Sequence, residues 1–212
     1  MSPLSLADLR TQRCVAIARG DRATYCAGTA KTLADNGIRI MEFPLTTPGV
    51  LAALPEVIDA AGASGFVGVG TVVTRAEAEA AVKAGGQFLV TPVVEPDVIA
   101  FAVEAQVPIL VGACTPTEIL QAWRAGATAV KLFPAVTGGP SLVRQLVTGP
   151  FPSIPLLPTG GVSLGDAAGY LKAGAIAVGM GGALLGDVLA TGAYERLSER
   201  VARFRAALES AG

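Results

Sequence analysis

Short apolar segments recur along this chain at intervals of roughly 20–25 residues, and this regular recurrence restricts the possible folds more than any other feature. Parallel strands that are buried on both faces appear in a sequence as nearly continuous apolar runs, so we interpret these segments as strands. Eight of them are present: Cys14–Ala18, Ile38–Phe43, Phe66–Thr71, Gln87–Thr91, Pro108–Val111, Ala127–Leu132, Ile154–Pro158 and Ala175–Gly179.

Alanine-rich amphipathic stretches lie between the apolar segments and predict helices. Several of these stretches end in glycine just before the next strand, at Gly37, Gly85, Gly126 and Gly174, as a helix C-cap requires. Examples of these stretches are Thr24–Asn36, Arg75–Lys83, Pro96–Glu104, Pro116–Arg124, Leu142–Leu146 and Leu164–Lys172, and a charged terminal helix follows over Ala193–Leu208.

A strand, a helix and a glycine, repeated about eight times, predict a single (β/α)8 TIM barrel over residues 1–212, with an additional N-terminal segment and a C-terminal helix. An open doubly wound α/β sheet is the alternative, and a glycine-rich dinucleotide loop after the first strand would favour it. The sequence Ala18-Arg19-Gly20-Asp21-Arg22 at that place is no such loop. No linker or change of composition divides the chain.

The composition excludes several classes of function. The chain is 51% hydrophobic, yet its longest uncharged apolar run near the C-terminus, Ala173–Gly186, is shorter than the roughly 18–20 residues that span a bilayer, so we expect no membrane segment. The net charge is −1 and the basic residues form no cluster, so nucleic-acid binding has no support. The segment Met1–Arg13 is polar and lacks the apolar core of a signal peptide, which leads us to expect a cytoplasmic protein.

Histidine is absent from the sequence, which excludes Ser-His-Asp and Cys-His catalysis together with histidine-based metal sites. The three cysteines, Cys14, Cys26 and Cys114, are scattered, so we expect no zinc site. Any proton transfer in an enzyme of this sequence therefore falls to carboxylates, lysine, tyrosine or water.

The tetrapeptide Lys131-Leu132-Phe133-Pro134 ends the sixth predicted strand and places an amine where a barrel has its catalytic face. An apolar environment disfavours the ammonium form of a lysine, and a neutral amine forms a Schiff base with a carbonyl substrate. The alternative is a lysine that extends to solvent from a strand end.

Other polar residues follow other predicted strands and converge on the same rim. Glu42 is a carboxylate in an apolar strand, which indicates either a general base beside the lysine or an ion pair that only stabilises. Thr71 has the same parity as Val67 and Val69, and we take this face of the third strand to point inward, toward the rim. The alternative role of Thr71 is that of a helix N-cap, for which Thr74 is the better candidate. Arg19 either holds a substrate carboxylate or lies in a solvated loop.

Two glycine-rich loops follow the seventh and eighth strands: Thr159-Gly160-Gly161 and Gly179-Met180-Gly181-Gly182. Loops at these two places form the phosphate site of many barrels, because backbone N–H groups and a short helix N-terminus bind the dianion. Each loop taken alone also fits a tight turn between a strand and a helix.

Together these motifs resemble the family of 2-keto-3-deoxy-6-phosphogluconate (KDPG) and 4-hydroxy-2-oxoglutarate (KHG) aldolases, which includes 2-keto-3-deoxy-6-phosphogalactonate (KDPGal) aldolases. The resemblance runs from about Val15 to Gly186. The matching strings are Ala18-Arg19, Glu42-Phe43-Pro44-Leu45-Thr46, Gly70-Thr71-Val72, Thr91-Pro92, Thr115-Pro116-Thr117-Glu118, Lys131-Leu132-Phe133-Pro134-Ala135, Gly149-Pro150-Phe151-Pro152, Pro158-Thr159-Gly160-Gly161-Val162 and Gly179–Gly182.

The resemblance implies a lyase of the class I aldolase type that uses neither a metal nor another cofactor, since the intermediate is a covalent Schiff base. It implies that Lys131 is the Schiff-base lysine and Glu42 the general acid and base. It also implies a small-molecule substrate, a homotrimer and a place in carbohydrate metabolism. The implied binding residues are Arg19, Thr46, Thr71, Pro92, Phe133 and Thr159 at the pyruvate end, and Gly160, Gly161, Gly181 and Gly182 around the phosphate.

We therefore expect reversible cleavage of KDPG, or of its galactonate epimer, to pyruvate and glyceraldehyde 3-phosphate. Some family members have an arginine where this chain has Thr46, and many have a serine in place of Gly182, which leaves a non-phosphorylated substrate such as KHG as an alternative. A sugar-phosphate isomerase or epimerase that forms no lysine adduct is a further alternative. A natural or engineered barrel scaffold without activity is the last.

Overall fold

A computed structural model describes residues 3–209 of the chain. All strands run parallel, and their bounds are β1 Cys14–Ile17, β2 Ile40–Pro44, β3 Phe66–Gly70, β4 Leu89–Val90, β5 Ile109–Ala113, β6 Ala129–Leu132, β7 Leu156–Pro158 and β8 Val178–Met180. They form one sheet in the order β7-β6-β5-β4-β3-β2-β1-β8. A single bridge between Thr159 and Gly179 joins the two remaining edges. The prediction of a (β/α)8 barrel is confirmed.

The helices surround the barrel and connect successive strands. Their bounds are α1 Leu6–Gln12, α2 Cys26–Asp35, α3 Val50–Ala61, α4 Arg75–Lys83, α5 Pro96–Glu104, α6 Pro116–Arg124, α7 Gly139–Thr148, α8 Ala167–Lys172, α9 Gly182–Leu185, α10 Val188–Thr191 and α11 Tyr194–Glu209, with one 3-10 turn over Ala135–Thr137. In the part of the chain that the structure describes, no helix is both long enough and apolar enough to cross a bilayer.

Local capping explains why the predicted bounds of α4 and α6 agree with the structure. The Thr74 and Thr115 side chains each accept a hydrogen bond from the backbone N–H of a glutamate three residues later, and that glutamate bonds back to the cap. These reciprocal bonds satisfy N–H groups that the first turn of a helix leaves free. At the other ends, Gly85 and Gly126 adopt φ values of +100° and +107°, which glycine reaches without a steric penalty.

Several strands begin later than their apolar sequence predicts. The eighth segment is apolar from Ala175, but β8 begins at Val178, and the fourth is predicted from Gln87, whereas β4 covers only Leu89–Val90. The residues before each strand form the turn that leads from a helix C-cap into the barrel. They are apolar because they are buried, and burial alone does not distinguish this turn from a strand.

Two apolar clusters make up the core, one between the sheet and the helices and the other inside the barrel. The inner cluster includes Ile40, Leu110 and Leu157 from three different strands. Leu4 and Leu9, the latter on the unpredicted helix α1, also belong to it. The N-terminal segment therefore covers the end of the barrel at which the strands begin, and the opposite end stays open.

Candidate active site

A pocket of about 640 Å³ opens at the end of the barrel where the strands finish. It contains most of the residues proposed from sequence for the substrate, although they come from loops that are far apart in the chain. Those that line it are Arg19, Thr71, Pro92, Lys131, Phe133, Thr159, Gly160, Gly161, Gly181 and Gly182, together with Ile17, Val162, Ser163, Gly179, Ala183, Leu185 and Gly186.

Lys131 projects from β6 into the base of this pocket and meets Glu42 from β2. The Lys131 Nζ lies 3.7 Å from Glu42 Oε1, and the two side chains are 10% and 2% exposed. Lys131 also lies beside the ring of Phe133, with Nζ 5.5 Å from the ring centroid. The amine is therefore at the pocket floor, with a carboxylate on one side and an aromatic ring on another.

Glu42 lies below the pocket, in a small cavity that it shares with Lys131 and Thr159. Burial raises the pKa of Glu42 above its ordinary value of 4.5, and the positive charges of Lys131 and Arg19 act in the opposite direction. Its Oε2 atom is buried and has no hydrogen-bond partner among residues 3–209. A carboxyl group with a raised pKa beside an amine is suited to accept and return protons near neutral pH.

Thr71 lines the pocket because of a backbone conformation that the sequence does not indicate. The parity prediction for β3 was wrong: Val67 and Val69 pack in the outer cluster, against the helices, and Gly68 and Gly70 are the inward residues. Thr71 follows the strand with φ +60°, a left-handed conformation that is rare for a β-branched residue. It lines the pocket, and its hydroxyl accepts a hydrogen bond of 3.5 Å from Arg19 Nη2.

Thr46 is the predicted site residue that the structure does not bring to the pocket. It is exposed in the turn after β2, and it is not among the residues that line the pocket. In this turn Thr47 N–H donates to the carbonyl of Pro44, which places Thr47 inward instead. The Thr47 hydroxyl accepts a bond of 3.1 Å from Gly20 N–H and so holds the loop that carries Arg19. Sequence alone does not distinguish two adjacent threonines in a turn.

The loop after β7 is built on two glycines whose conformation and packing both exclude a side chain. Gly160 and Gly161 have φ values of +90° and +76°. A Cβ atom at Gly160 would lie 2.9 Å from the Phe133 ring, and one at Gly161 would lie 2.6 Å from Val136. Val136 N–H also donates to the carbonyl of Gly160 at 3.1 Å. The glycines therefore let this loop pack closely on the loop after Lys131.

The loop after β8 faces the same part of the pocket. A Cβ atom at Gly181 or Gly182 would meet no atom within 4 Å, so these glycines leave open space. Ser163, which follows the first glycine loop, donates its hydroxyl proton to Asp166 Oδ2 at 2.6 Å. Among the side chains that line the pocket, the cations are Arg19 and Lys131. The glycine-rich part of the pocket therefore offers backbone groups rather than charged side chains.

Sequence reasoning missed the apolar lining of the pocket, above all Ile17 and Leu185. These residues were missed because the sequence does not indicate whether the side chain of an apolar residue faces a ligand or the core. Within residues 3–209, no group of three or more histidine, cysteine, aspartate or glutamate side chains is placed to hold a metal ion.

A smaller cleft of about 290 Å³ lies at the opposite end of the barrel and contains Arg10, Arg13 and Arg205. Helices α1, α2 and α11 end around it, and the carbonyl groups at a helix C-terminus carry partial negative charge. Arg205 Nη1 donates to the carbonyl of Asn36 at 3.1 Å. Arg205 therefore stabilises the C-terminal end of α2, which Asn36 caps.

Comparison with known proteins connects this geometry to one family. The family model described as "KDPG and KHG aldolase" matches residues 6–199. A 2-dehydro-3-deoxy-phosphogluconate aldolase of Pseudomonas aeruginosa is 37% identical over 163 residues, which are 76% of this chain and 73% of that protein. A 2-dehydro-3-deoxy-6-phosphogalactonate aldolase of Escherichia coli is 30% identical over 191 residues, which are 90% of this chain and 91% of that protein.

A solved structure described as native KDPGal has a TM-score of 0.87 and 30% identity, and the match covers 93% of this chain and 95% of that one. The family match covers the strand ends that carry Glu42 and Lys131 as well as both glycine loops. This chain belongs to the KDPG and KHG aldolase family.

Proposed function

We propose that this protein is a class I pyruvate aldolase, which reversibly cleaves a 2-keto-3-deoxy-6-phospho sugar acid to pyruvate and glyceraldehyde 3-phosphate. The observation that carries the proposal is the buried pair of Lys131, at the floor of the pocket, and Glu42, which lies below it at a distance of 3.7 Å. A buried amine beside a buried carboxyl group supplies both a nucleophile for a ketone and a group that transfers protons. Family membership supports the same reaction.

In this mechanism the Lys131 amine attacks the C2 ketone, and loss of water gives an iminium ion. Glu42 takes the proton of the C4 hydroxyl, directly or through water, and the C4–O electrons form the aldehyde carbonyl. The electrons of the broken C3–C4 bond pass into the iminium and give an enamine. Glu42 then returns the proton to C3, and water hydrolyses the resulting iminium to pyruvate and free Lys131.

The residues around the amine suit the pyruvate half of the substrate. In this proposal the Arg19 guanidinium binds the substrate carboxylate, and the Thr71 and Thr159 hydroxyls bind the oxygens nearby. Pro92 and Phe133 supply apolar contacts on the same side. The support is that all five residues line the pocket that contains Lys131. Thr46 has no part in this arrangement because it is exposed outside that lining.

The backbone groups of Gly160, Gly161, Gly181 and Gly182 bind the phosphate in this proposal. Both glycine loops line the end of the pocket formed by the loops after β7 and β8. Backbone N–H groups bind a dianion without a cationic side chain. The open space at Gly182, where no side chain supplies a hydroxyl, also favours a second candidate, the non-phosphorylated substrate KHG.

A coupled assay for pyruvate tests the proposal. KDPG, KDPGal and KHG are supplied separately to the purified protein at matched concentrations, and the Lys131→Ala variant serves as the control. We expect pyruvate from a phosphorylated substrate and none from the variant. A higher kcat/KM for KHG would select the second candidate. If none of the three substrates yields pyruvate, the proposal of an aldolase is contradicted. An isomerase or a barrel without activity would then be the alternatives.

The proposal extends to the assembly and the location of the protein. We propose a homotrimer, in line with the family resemblance. Val73 and Val93, which follow β3 and β4, are 39% and 49% exposed and suit contact with a second chain. Light scattering on the eluting protein tests the trimer, and a mass of one or two chains would contradict it.

We place the protein in the cytoplasm and in carbohydrate metabolism, because a phosphorylated sugar acid does not cross a lipid bilayer unaided.

A further inference from the structure

Gly70, the last residue of β3, lies directly against the carboxylate of Glu42. A Cβ atom built on Gly70 would overlap Oε2 and Cδ of Glu42, and the third nearest atom would be Oε1 of the same side chain. The carboxylate therefore occupies the space that any side chain at position 70 would fill.

The backbone around Gly70 explains this proximity. In the pairing of β2 with β3, Glu42 lies opposite Gly68, and Gly70 lies opposite Pro44. The Glu42 side chain thus leans toward the end of β3 and over the next inward residue. The carbonyl of Gly70 accepts a bond of 2.8 Å from Leu45 N–H, which fixes the strand at this point. Gly70 is not among the residues with positive φ, so its backbone would accept alanine.

The Oε2 side of the carboxylate packs against Gly70 and makes no hydrogen bond to residues 3–209. Oε1 faces Lys131 Nζ at 3.7 Å, whereas Oε2 is buried with no hydrogen-bond partner among residues 3–209. Gly70 lies against Oε2 and leaves no room for a side chain there. A change at this residue therefore moves the carboxylate relative to the amine.

We propose that Gly70 is a positioning residue, whose lack of a side chain allows the Glu42 carboxylate to lie beside Lys131. This inference rests on the proposed role of Glu42 as general acid and base. Gly70 touches no substrate in it and acts through Glu42 alone.

The variant Gly70→Ala tests the inference. We expect kcat to fall roughly 10²-fold, the usual scale when a reacting group is misplaced by about 1 Å, and KM to change much less. We expect the acidic limb of the kcat–pH profile to shift, because burial and the charge of Lys131 together set the pKa of Glu42 and both depend on the position of the carboxyl group. We expect pyruvate still to form a reducible adduct with Lys131. The three atoms nearest to a Cβ atom at position 70 all belong to Glu42, and none belongs to Lys131.

Gly68→Ala is the matched control, on the same strand and the same inward face. A Cβ atom at Gly68 would meet the ring of Phe88 at 2.5 Å and would not have Glu42 among its nearest atoms. We expect this variant to lower the melting temperature and to keep the wild-type pH profile in the folded protein. If both variants change kcat and the pH profile equally, Gly70 has no specific role and the inference is overturned.

A stability cycle decides the same point without any measurement of activity. We expect Gly70→Ala to lower the melting temperature of the wild type but to have little effect in a Glu42→Ala background, where the overlapping atoms are gone. Equal losses in the two backgrounds would overturn the inference. Failure of the wild type to release pyruvate would instead contradict the proposed function, and the melting temperatures would still establish whether Gly70 and Glu42 are coupled.

Discussion

The proposed mechanism depends on two side chains that a protein interior rarely accepts, a buried lysine and a buried glutamate. Each charge is costly in a low-dielectric interior, and each offsets part of the cost of the other. Glu42 is 2% exposed, and burial is the largest cause of its raised pKa. A carboxyl group of this kind holds a proton at a higher pH than a surface glutamate, as a group that alternates between acid and base requires.

Glu42→Gln tests the role of the carboxyl group as distinct from its size. We expect kcat to fall by roughly 10²–10⁴, the usual contribution of general acid–base catalysis. The Schiff base with pyruvate should still form on Lys131, so the variant should lose turnover without losing adduct formation. Steady-state kinetics and mass spectrometry measure the two. The control is Glu104→Gln, which changes an exposed carboxylate on α5. If kcat were unchanged in Glu42→Gln, Glu42 would have only a structural role.

The pKa of Glu42 also predicts the pH dependence of the reaction. The base must be ionised, so kcat/KM rises with pH through the raised pKa of Glu42, and the acidic limb lies above pH 4.5. The Arg19 charge lowers this pKa, so Arg19→Met should move the limb to higher pH. A pH profile of kcat/KM measures the shift, and movement of the limb to lower pH in the variant would contradict the account.

At the scale of the secondary-structure elements, strand ends and the turns that follow them determine which side chains enter the pocket. Lys131 and Glu42 are inside their strands, where alternation decides their direction, and the sequence predicts both correctly. Thr71 and Thr46 lie just beyond their strands, where alternation no longer applies. There the left-handed conformation of Thr71 and the turn at Thr47 decide the direction, and neither has a clear signal in the sequence.

The bounds of several helices follow from local signals that are easier to interpret. Capping boxes at Thr74 and Thr115 and the glycines that end several helices mark the bounds, which explains the agreement at α4 and α6. Helix α1 escaped prediction because it is only seven residues long, although Ser5 and Asp8 form a capping box. Its buried Leu9 gains stability from contact with the barrel, which a local signal does not show.

The turn after β3 leads to a prediction about stability and activity together. A β-branched residue at φ +60° costs about 1–3 kcal/mol, and such strain concentrates at functional sites. Thr71→Gly should therefore raise the free energy of unfolding by about 1 kcal/mol, since the extra freedom of glycine in the unfolded chain offsets part of the gain. The same variant should lower kcat/KM because it removes the hydroxyl that contacts Arg19.

Chemical denaturation and steady-state kinetics measure the two effects of Thr71→Gly. Thr71→Ser keeps the hydroxyl and serves as the control for activity. If Thr71→Gly lowered the stability of the protein and left kcat/KM unchanged, the strained conformation would have no connection with function.

At the scale of the whole molecule, closure of the barrel is what creates the site. Glu42 and Lys131 come from β2 and β6, which are not neighbours in the sheet and face each other only because the sheet closes. The parallel strands bring their ends to one face, and the helices end at the other, where arginines surround a separate cleft. The fold and the inward position of Glu42 and Lys131 were predictable from sequence, whereas the apolar walls at Ile17 and Leu185 depend on closure.

Every step of the proposed mechanism depends on a Schiff base at Lys131, and reductive trapping with pyruvate detects that bond. The protein is incubated with pyruvate and borohydride, and the adduct is located by intact-mass and peptide mass spectrometry. We expect one pyruvate-derived adduct per chain, on Lys131 and not on Lys31, Lys83 or Lys172, which are exposed. The adduct should be absent from Lys131→Ala and retained in Lys172→Ala. No adduct in the wild type, or an adduct that persists in Lys131→Ala, would contradict the account.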